Sequence, residues 1–189
     1  MRRLVVGQED FEEVEVQGVI TESLELLEQQ FRSRGIAVVV NAEPDLPKIY
    51  CNPFQLEQVF INLATNARDA IEATARGSGS IQIDVRRKQS DSQRFLEVIF
   101  RDDGVGMNSE TKNRALEPFY TTKEVGKGTG LGLSVSYGIL SKIHGSMMIE
   151  SAPGKGASFL LTLPVDYRTL HTQGNERKEG HEYGENTNR

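Results

Sequence analysis

One cysteine, Cys51, is the whole sulfhydryl content of this 189-residue chain, which excludes an internal disulfide framework. With no partner cysteine and no histidine nearby, Cys51 reads as an ordinary thiol, and a reducing, cytoplasmic setting fits. Positive charge is also scarce. Lysine and arginine number 22 against 27 acidic residues, a net charge of −5 with a pI near 5.3, which argues against a nucleic-acid partner. No run approaches the roughly 18 apolar residues of a membrane span. The opening "MRRLVVGQED" turns acidic before an apolar core accumulates, so neither a membrane segment nor a signal peptide is expected in it. No internal repeat is evident. What remains, 37% hydrophobic and 26% charged, describes an ordinary globular domain long enough for a real core.

Hydrophobic periodicity divides the chain. "FEEVEVQGVI" alternates briefly, and "GVITESLELLEQQFRSRG" reads as an amphipathic helix stopped by Gly35. "IAVVVNA" predicts a strand, and "EPDLPKIYCNP", punctuated by three prolines, a loop. A long helix over "FQLEQVFINLATNARDAIEATA" and a turn at "RGSGS" follow. Strands "SIQIDVRRK" and "RFLEVIFRDD" come next, joined by the polar loop "QSDSQ". From Gly104 to Gly130 the chain is polar and glycine-bearing, with a helical fragment near 109–116; so long a connection is usually functional, here as a lid. A helix from Leu131 leads into strands "SMMIES" and "ASFLLTLPV", linked by "APGKG". Residues 167–189 have almost no apolar side chains and are expected to be disordered. Helices interleaved with hairpin-paired strands predict an α/β two-layer sandwich: a mixed sheet of about five strands, one face covered by three main helices.

Three stretches depart from ordinary core-and-surface patterning. In "GKGTGLGLSVSYGI", residues 126–139, glycine falls on every second position before a helix begins. A P-loop is excluded, because both Gly-Lys pairs, 126–127 and 154–155, are followed by glycine rather than serine or threonine. A dinucleotide fingerprint is excluded, because the sixth place is leucine from either starting glycine. The bland alternative, a flexible linker, fits poorly with the apolar face that follows at helical spacing: Leu133, Val135, Tyr137, Ile139, Leu140 and Ile143. A glycine loop feeding a helix N-terminus suits phosphate binding, since bare N–H groups and the positive dipole end face the anion.

The long helix carries a second anomaly. Leu56, Val59, Phe60, Leu63, Ala67, Ala70 and Ile71 form a buried face, while Gln58, Asn62, Asn66 and Asp69 recur on an adjacent stripe. Either the stripe is a polar helix edge, or its amide oxygens meet a ligand or a metal ion. The third anomaly ends a strand. Leu96, Val98 and Phe100 share one face, and Asp102 continues it into "DDGVGM". A carboxylate ending an apolar row is costly unless hydrogen-bonded, although Asp-Gly is also a common turn pair.

Taken in order, these motifs resemble the catalytic, ATP-binding domain of bacterial sensor histidine kinases, within the superfamily that includes gyrase, Hsp90 and MutL. "NLATNARDAIE" is similar to its N box, "DDGVGM" to the first glycine box, "EPFYTTK" to the F box, "GKGTGLGLSVSYGI" to the second glycine box, and "GKGASFLLTLP" to the closing strand motif. The likeness covers roughly residues 10 to 166, and its wording is most like the nitrogen-regulation and C4-dicarboxylate type. It implies the Bergerat-type ATP-binding fold over 11–166, with residues 1–10 the stub of a preceding helical dimerisation domain.

The resemblance also implies roles. Asp102 would accept from the adenine amine, with Gly104 and Gly106 letting the base lie close to the backbone. Asn66 would give its amide oxygen to Mg²⁺, and Asn62 would hold phosphates or metal-bound water. Gly128, Gly130 and Gly132 would present N–H groups to the phosphates, Lys123 and Lys127 their cations, and Phe119 would pack the lid over the nucleotide. Asp69, Thr121, Thr122, Thr129, Leu131 and Leu133 complete the implied nucleotide site, and Asn62, Asn66 and Lys123 its catalytic set. The implied substrate is ATP, with ADP as product. The implied partners are a histidine-bearing dimerisation domain and a downstream response regulator, the isolated domain being a monomer whose parent could be membrane-anchored.

Two departures stand out. Ser146 replaces a glycine common after "HG", and none of His144, His171 and His181 begins an acceptor helix. Two rivals remain open: an ATP-hydrolysing dimerisation switch of the gyrase or Hsp90 kind, and a nucleotide-binding module without chemistry. In the hydrolysing relatives a water-activating glutamate stands four residues before the magnesium asparagine; here that place is Asn62, which is no base at neutral pH.

Overall fold

The structure, a computed structural model, describes residues 11–90, 93–123 and 128–166. The proposed stub, the proposed tail with His171 and His181, and Lys127 lie outside the described residues.

The main sheet has five strands: β2 (Ile36–Ala42), β4 (Gly79–Ser90), β5 (Gln93–Asp102), β7 (Ala157–Pro164) and β6 (Ser146–Ser151), side by side in that order. β2 and β4 run parallel and every other neighbouring pair antiparallel, so the sheet is mixed. The parallel pair is joined through α3 (Pro53–Glu72), which crosses back over one face. On that face the strands alternate as the pleat requires: Ile81, Ile83 and Val85 of β4, Leu96, Val98 and Phe100 of β5, and Phe159, Leu161 and Leu163 of β7 are all buried. Cross-strand register places Ile83, Phe100 and Phe159 in one row, and Ile81, Asp102 and Ala157 in the next.

The opposite face carries ion pairs in place of a second helical layer. Asp84 pairs with Arg101 and accepts from Asn41, while the buried Glu97 accepts from Arg86 at 2.8 Å and Lys88 at 2.6 Å. Burial pushes the Glu97 carboxyl upward, but the hydrogen bonds and charges of Lys88 and Arg86 outweigh it and hold it below the usual carboxylate range.

Helices α1 (Val16–Glu25), α3 and α5 (Gly132–Lys142) form the covering layer, with α1 and α5 both packed against α3. α3 begins where Asn52 accepts from the Gln55 N–H at 3.0 Å and Pro53 takes the first helical position, a strong start signal. Its buried face includes Leu56, Val59, Phe60, Leu63, Ala67 and Ile71, with Ala70 only half-buried.

Several boundaries differ from the sequence reading. The first expected helix is two, α1 and α2 (Glu28–Ser33), broken at Leu26–Leu27 where the packing partner changes from α3 to β2. The proline-punctuated loop contains β3 (Ile49–Cys51), paired antiparallel with β1 (Glu12–Val14); strands of three residues are too short to show alternation. Cys51 is buried there, and burial pushes its thiol up to about 12. The expected "QSDSQ" loop is shorter than read, because β4 runs to Ser90 and β5 starts at Gln93. On α5 the apolar stripe is only partly buried. Leu140 and Ile143 enter the core, but Val135 and Tyr137 stay 38% and 44% exposed while Ser136 is buried.

Phe100, at the centre of the inner face, is the natural test of this core. Phe100→Ala should destabilise the protein by about 3–5 kcal/mol in urea unfolding, whereas Val39→Ala, at an exposed position of edge strand β2, should change stability by less than about 0.5 kcal/mol.

Candidate functional site

The polar stripe of α3 is one wall of a cavity of about 360 Å³. Asn62, Thr65, Asn66, Arg68 and Asp69 line it from α3, Tyr120, Thr121 and Lys123 from the long connection, and Gly128, Thr129, Gly130, Gly132 and Leu133 from the glycine loop and the start of α5. The stripe is therefore a pocket wall rather than a plain helix edge, although Gln58 is not among the lining residues.

At Gly128 and Gly130 the glycine alternation has a steric cause. A side chain at Gly130 would lie 2.4 Å from the Phe119 carbonyl carbon, and its φ of +65° is one that L-residues rarely adopt. At Gly128 the obstacles are Thr121 and Lys123, whereas a side chain at Gly132 would meet Asn62 only at an ordinary contact distance of 3.6 Å. Alternate residues thus face other segments of the chain. The loop is clamped at its α5 end, where Asn62 Nδ2 donates to the Gly132 carbonyl at 3.0 Å and to Ser136 Oγ at 3.1 Å. Ser136 Oγ donates in turn to the Gly132 carbonyl at 2.8 Å. No side chain caps α5, so its first-turn N–H groups are available to an anion.

Asn62 thus has its amide N–H groups engaged in structure, and its oxygen is what it offers the cavity. Asn66 Oδ1 and Asp69 Oδ2 both meet the Lys123 ammonium, at 3.4 Å and 2.6 Å. Asp69 also accepts from Arg68 at 2.8 Å. Burial raises the Asp69 carboxyl, but the hydrogen bonds and charges of Lys123 and Arg68 together hold it below the usual range. An ammonium already seated against these two oxygens shows that they accept a cation. Among the described residues no group of three or more His, Cys, Asp or Glu could hold a metal ion, so a magnesium ion at Asn66 would take its other ligands from phosphates and water.

Asp102, Gly104 and Gly106 are not in the cavity lining; they lie one helical turn farther along α3. The Val105 N–H donates to the Ala70 carbonyl at 3.0 Å, and a Cβ on Gly104 would fall 2.6 Å from that of Ala70. Gly106 takes φ +67° against the Ala152 carbonyl. The first demand on these glycines is therefore close approach of the protein's own backbone. Asp102 is 8% exposed and accepts from the Gly104 N–H at 2.9 Å. Burial pushes its carboxyl up to about 6, against the lowering effect of the Gly104 and Ala157 N–H groups and with a small push from Asp103.

The remaining site residues are less concentrated. Leu131 precedes the first residue of α5 and its N–H donates to Thr129 Oγ1 at 3.3 Å. Phe119 points outward, 74% exposed, with φ +67° and its N–H bonded to the Gly130 carbonyl. Thr122 is exposed outside the lining. The sequence reading missed Thr65, Arg68 and Tyr120. Thr65 shares the stripe at i+3 from Asn62 and was there to be found; Tyr120, under the Arg114 guanidinium at 4.2 Å with its hydroxyl 3.4 Å from Thr111 Oγ1, carried no periodic signal.

Comparison with known proteins agrees with this fold. Residues 51–167 match the family described as histidine kinase-, DNA gyrase B- and HSP90-like ATPase, and the chain belongs to that family. It is 40% identical over 155 residues to sporulation kinase E of Bacillus subtilis and 38% identical over 164 residues to the sensor histidine kinase ZraS of Klebsiella oxytoca. These alignments cover 82% and 87% of this chain but only 20% and 34% of those proteins, so the chain spans a minor part of their length. The catalytic domain of histidine kinase ThkA superimposes with a TM-score of 0.69 at 28% identity, over 84% of this chain and 98% of that one. Full-length ShkA in complex with AMPPNP shares the fold at a TM-score of 0.70 and 22% identity, over 85% of this chain and 32% of that one.

The buried Asp102 makes a prediction whose sign follows from its raised pKa. Above pH 6 the folded protein carries a carboxylate that burial disfavours, and that cost disappears as pH falls toward the ordinary value of 3.8. Asp102→Asn should therefore raise stability by roughly 1–3 kcal/mol at pH 8 and by little near pH 4. Thermal unfolding of both proteins across that range is the check. An equal difference at both pH values would contradict the assignment.

Proposed function

We propose that this chain binds Mg·ATP and donates its γ-phosphoryl group to a histidine on a separate dimerisation domain, as the catalytic part of a sensor histidine kinase. The observation that carries the proposal is the placement on α3. A cavity lined by amide oxygens, two cations and an uncapped helix N-terminus lies one turn from a buried carboxylate.

The polyphosphate would lie along Gly128–Gly132, where the N–H groups of the loop and of the first turn of α5 neutralise it. Magnesium, held by Asn66 and the phosphates, would offset charge on the β- and γ-phosphates. Lys123 and Arg68 supply fixed positive charge at the same end. Asp102 would accept from the exocyclic amine of adenine, whereas guanine would set a carbonyl against a buried acceptor. The protein positions and neutralises, and the incoming imidazole supplies the nucleophile.

Asn62 offers no base to water, which favours transfer over hydrolysis. His144 sits at a left-handed position, φ +55°, after the last turn of α5, a poor setting for an acceptor. The name of one relative, a sensor histidine kinase, supports histidine phosphorylation; a receiver protein downstream and a cytoplasmic setting belong to the same proposal. Among the described residues no helix is long and apolar enough to cross a membrane. The finer likeness to nitrogen-regulation and C4-dicarboxylate kinases rests on the wording of "FYTTK" and the glycine loop.

Calorimetry should give Mg·ATP binding with Mg·GTP weaker by roughly ten- to hundredfold, and Asp102→Ala should lose the preference. With labelled ATP, the chain alone should show little turnover and no stable label, and a histidine-bearing helical domain should become labelled. Asn66→Asp should depress that labelling, because it adds negative charge beside the triphosphate. Fast hydrolysis by the chain alone would favour the gyrase-like reading, and an unlabelled acceptor would favour a binding module.

A further inference from the structure

Lys123 and Asn66 come from opposite walls of the cavity, one from the long connection and one from α3. The two side chains are in contact. The Lys123 ammonium lies 2.6 Å from Asp69 Oδ2 and 3.4 Å from Asn66 Oδ1, so a single positive charge fills the space in front of both oxygens. The pair is part-exposed, with side chains 35% and 26% exposed. Asp69 is itself fixed from behind by Arg68, whose guanidinium is tied to Gln30. The Lys123 N–H donates to Thr121 Oγ1, and its stem lies 3.0 Å from where a side chain on Gly128 would stand. The lysine therefore joins α3, the long connection and the glycine loop through one contact.

We propose that Lys123 is a resident counter-ion that occupies the cation position of the site, and that Asp69 is the residue that latches it there. Building on the Mg·ATP reading, the lid lysine and a divalent cation exclude one another at Asn66 and Asp69. A metal ligand distance of about 2.1 Å to Asn66 Oδ1 falls in the space the ammonium fills, and two cations held within ~4 Å of each other repel. Metal entry and release of Lys123 from α3 are then one event. Nucleotide without metal leaves the latch shut; nucleotide with metal frees the ammonium for the phosphates and unties the connection from α3. Because coupling is reciprocal, whatever loosens Lys123 strengthens metal binding by the same factor. Asp69 acts here as a positioning residue, its charge holding the lysine until a stronger cation arrives.

The test is the Mg²⁺ dependence of ADP binding, read by calorimetry at saturating ADP. Lys123→Met keeps the length of the side chain and removes its charge. It should lower the Mg²⁺ midpoint about two- to fivefold, the range set by a part-exposed ion pair. Lys123→Arg, which keeps a cation for Asp69, should stay near the wild-type midpoint. Circular dichroism of each variant confirms the fold. An unchanged or raised midpoint in the methionine variant, or an equal shift in both variants, overturns the latch. If no protein binds ADP at any Mg²⁺ concentration, wild type included, the nucleotide reading falls and takes the latch with it. A missing shift alone removes only the latch.

Discussion

Two hydrogen bonds from one amide hold the site together. Asn62 Nδ2 reaches across from α3 to the Gly132 carbonyl and to Ser136 Oγ, joining residues 70 and 74 positions apart in sequence. Ser136 is buried and can accept only because α5 is packed against α3. The clamp sets where the first turn of α5 sits, and hence where its uncapped N–H groups point. It also explains Asn62 without catalysis: a residue with both amide hydrogens committed to structure is a poor candidate for moving a proton.

The same helix sets the scale of the site. Asn66 faces the cavity, and Ala70, one turn on, bonds and abuts the Gly104–Val105 turn that follows Asp102. The helical rise therefore spaces the cation end from the carboxylate end, and no loop has to do so. Asp102 keeps its cost of burial because it lies on the inner face of β5, in line with Ile81 and Ala157, where the sheet offers few donors. A group held so far from its preferred solvent is useful where a polar ligand edge completes its hydrogen bonding.

Much of this was legible before any coordinates. Strict strand and helix periods singled out the row Leu96, Val98, Phe100, Asp102 and the amide stripe, but left a buried carboxylate open against a plain Asp-Gly turn and a ligand site against a polar helix edge. The mixed five-stranded sheet followed from hairpin-paired strands and interleaved helices. What stayed hidden depends on contacts remote in sequence. Ser136 falls among the apolar positions of α5, and only the Asn62 clamp gives it a reason to be buried. Val135 and Tyr137 looked like core and are exposed, since α5 covers less of the sheet than its composition suggested. The glycines were read for their approach to ligand, yet Gly104 and Gly130 are first required by Ala70 and Phe119. Strands β1 and β3 were too short to leave a pattern.

The central claim is that two successive turns of α3, at Asn66 and at Ala70, serve one ligand. Backbone and side-chain amide shifts recorded while Mg²⁺ and a non-hydrolysable ATP analogue are added test it most directly. The account predicts that the Gly104–Gly106 turn, the Asn66 side chain and the Thr129–Leu133 amides all shift together along a single binding curve. Shifts confined to one of these regions, or regions titrating with different midpoints, would contradict it.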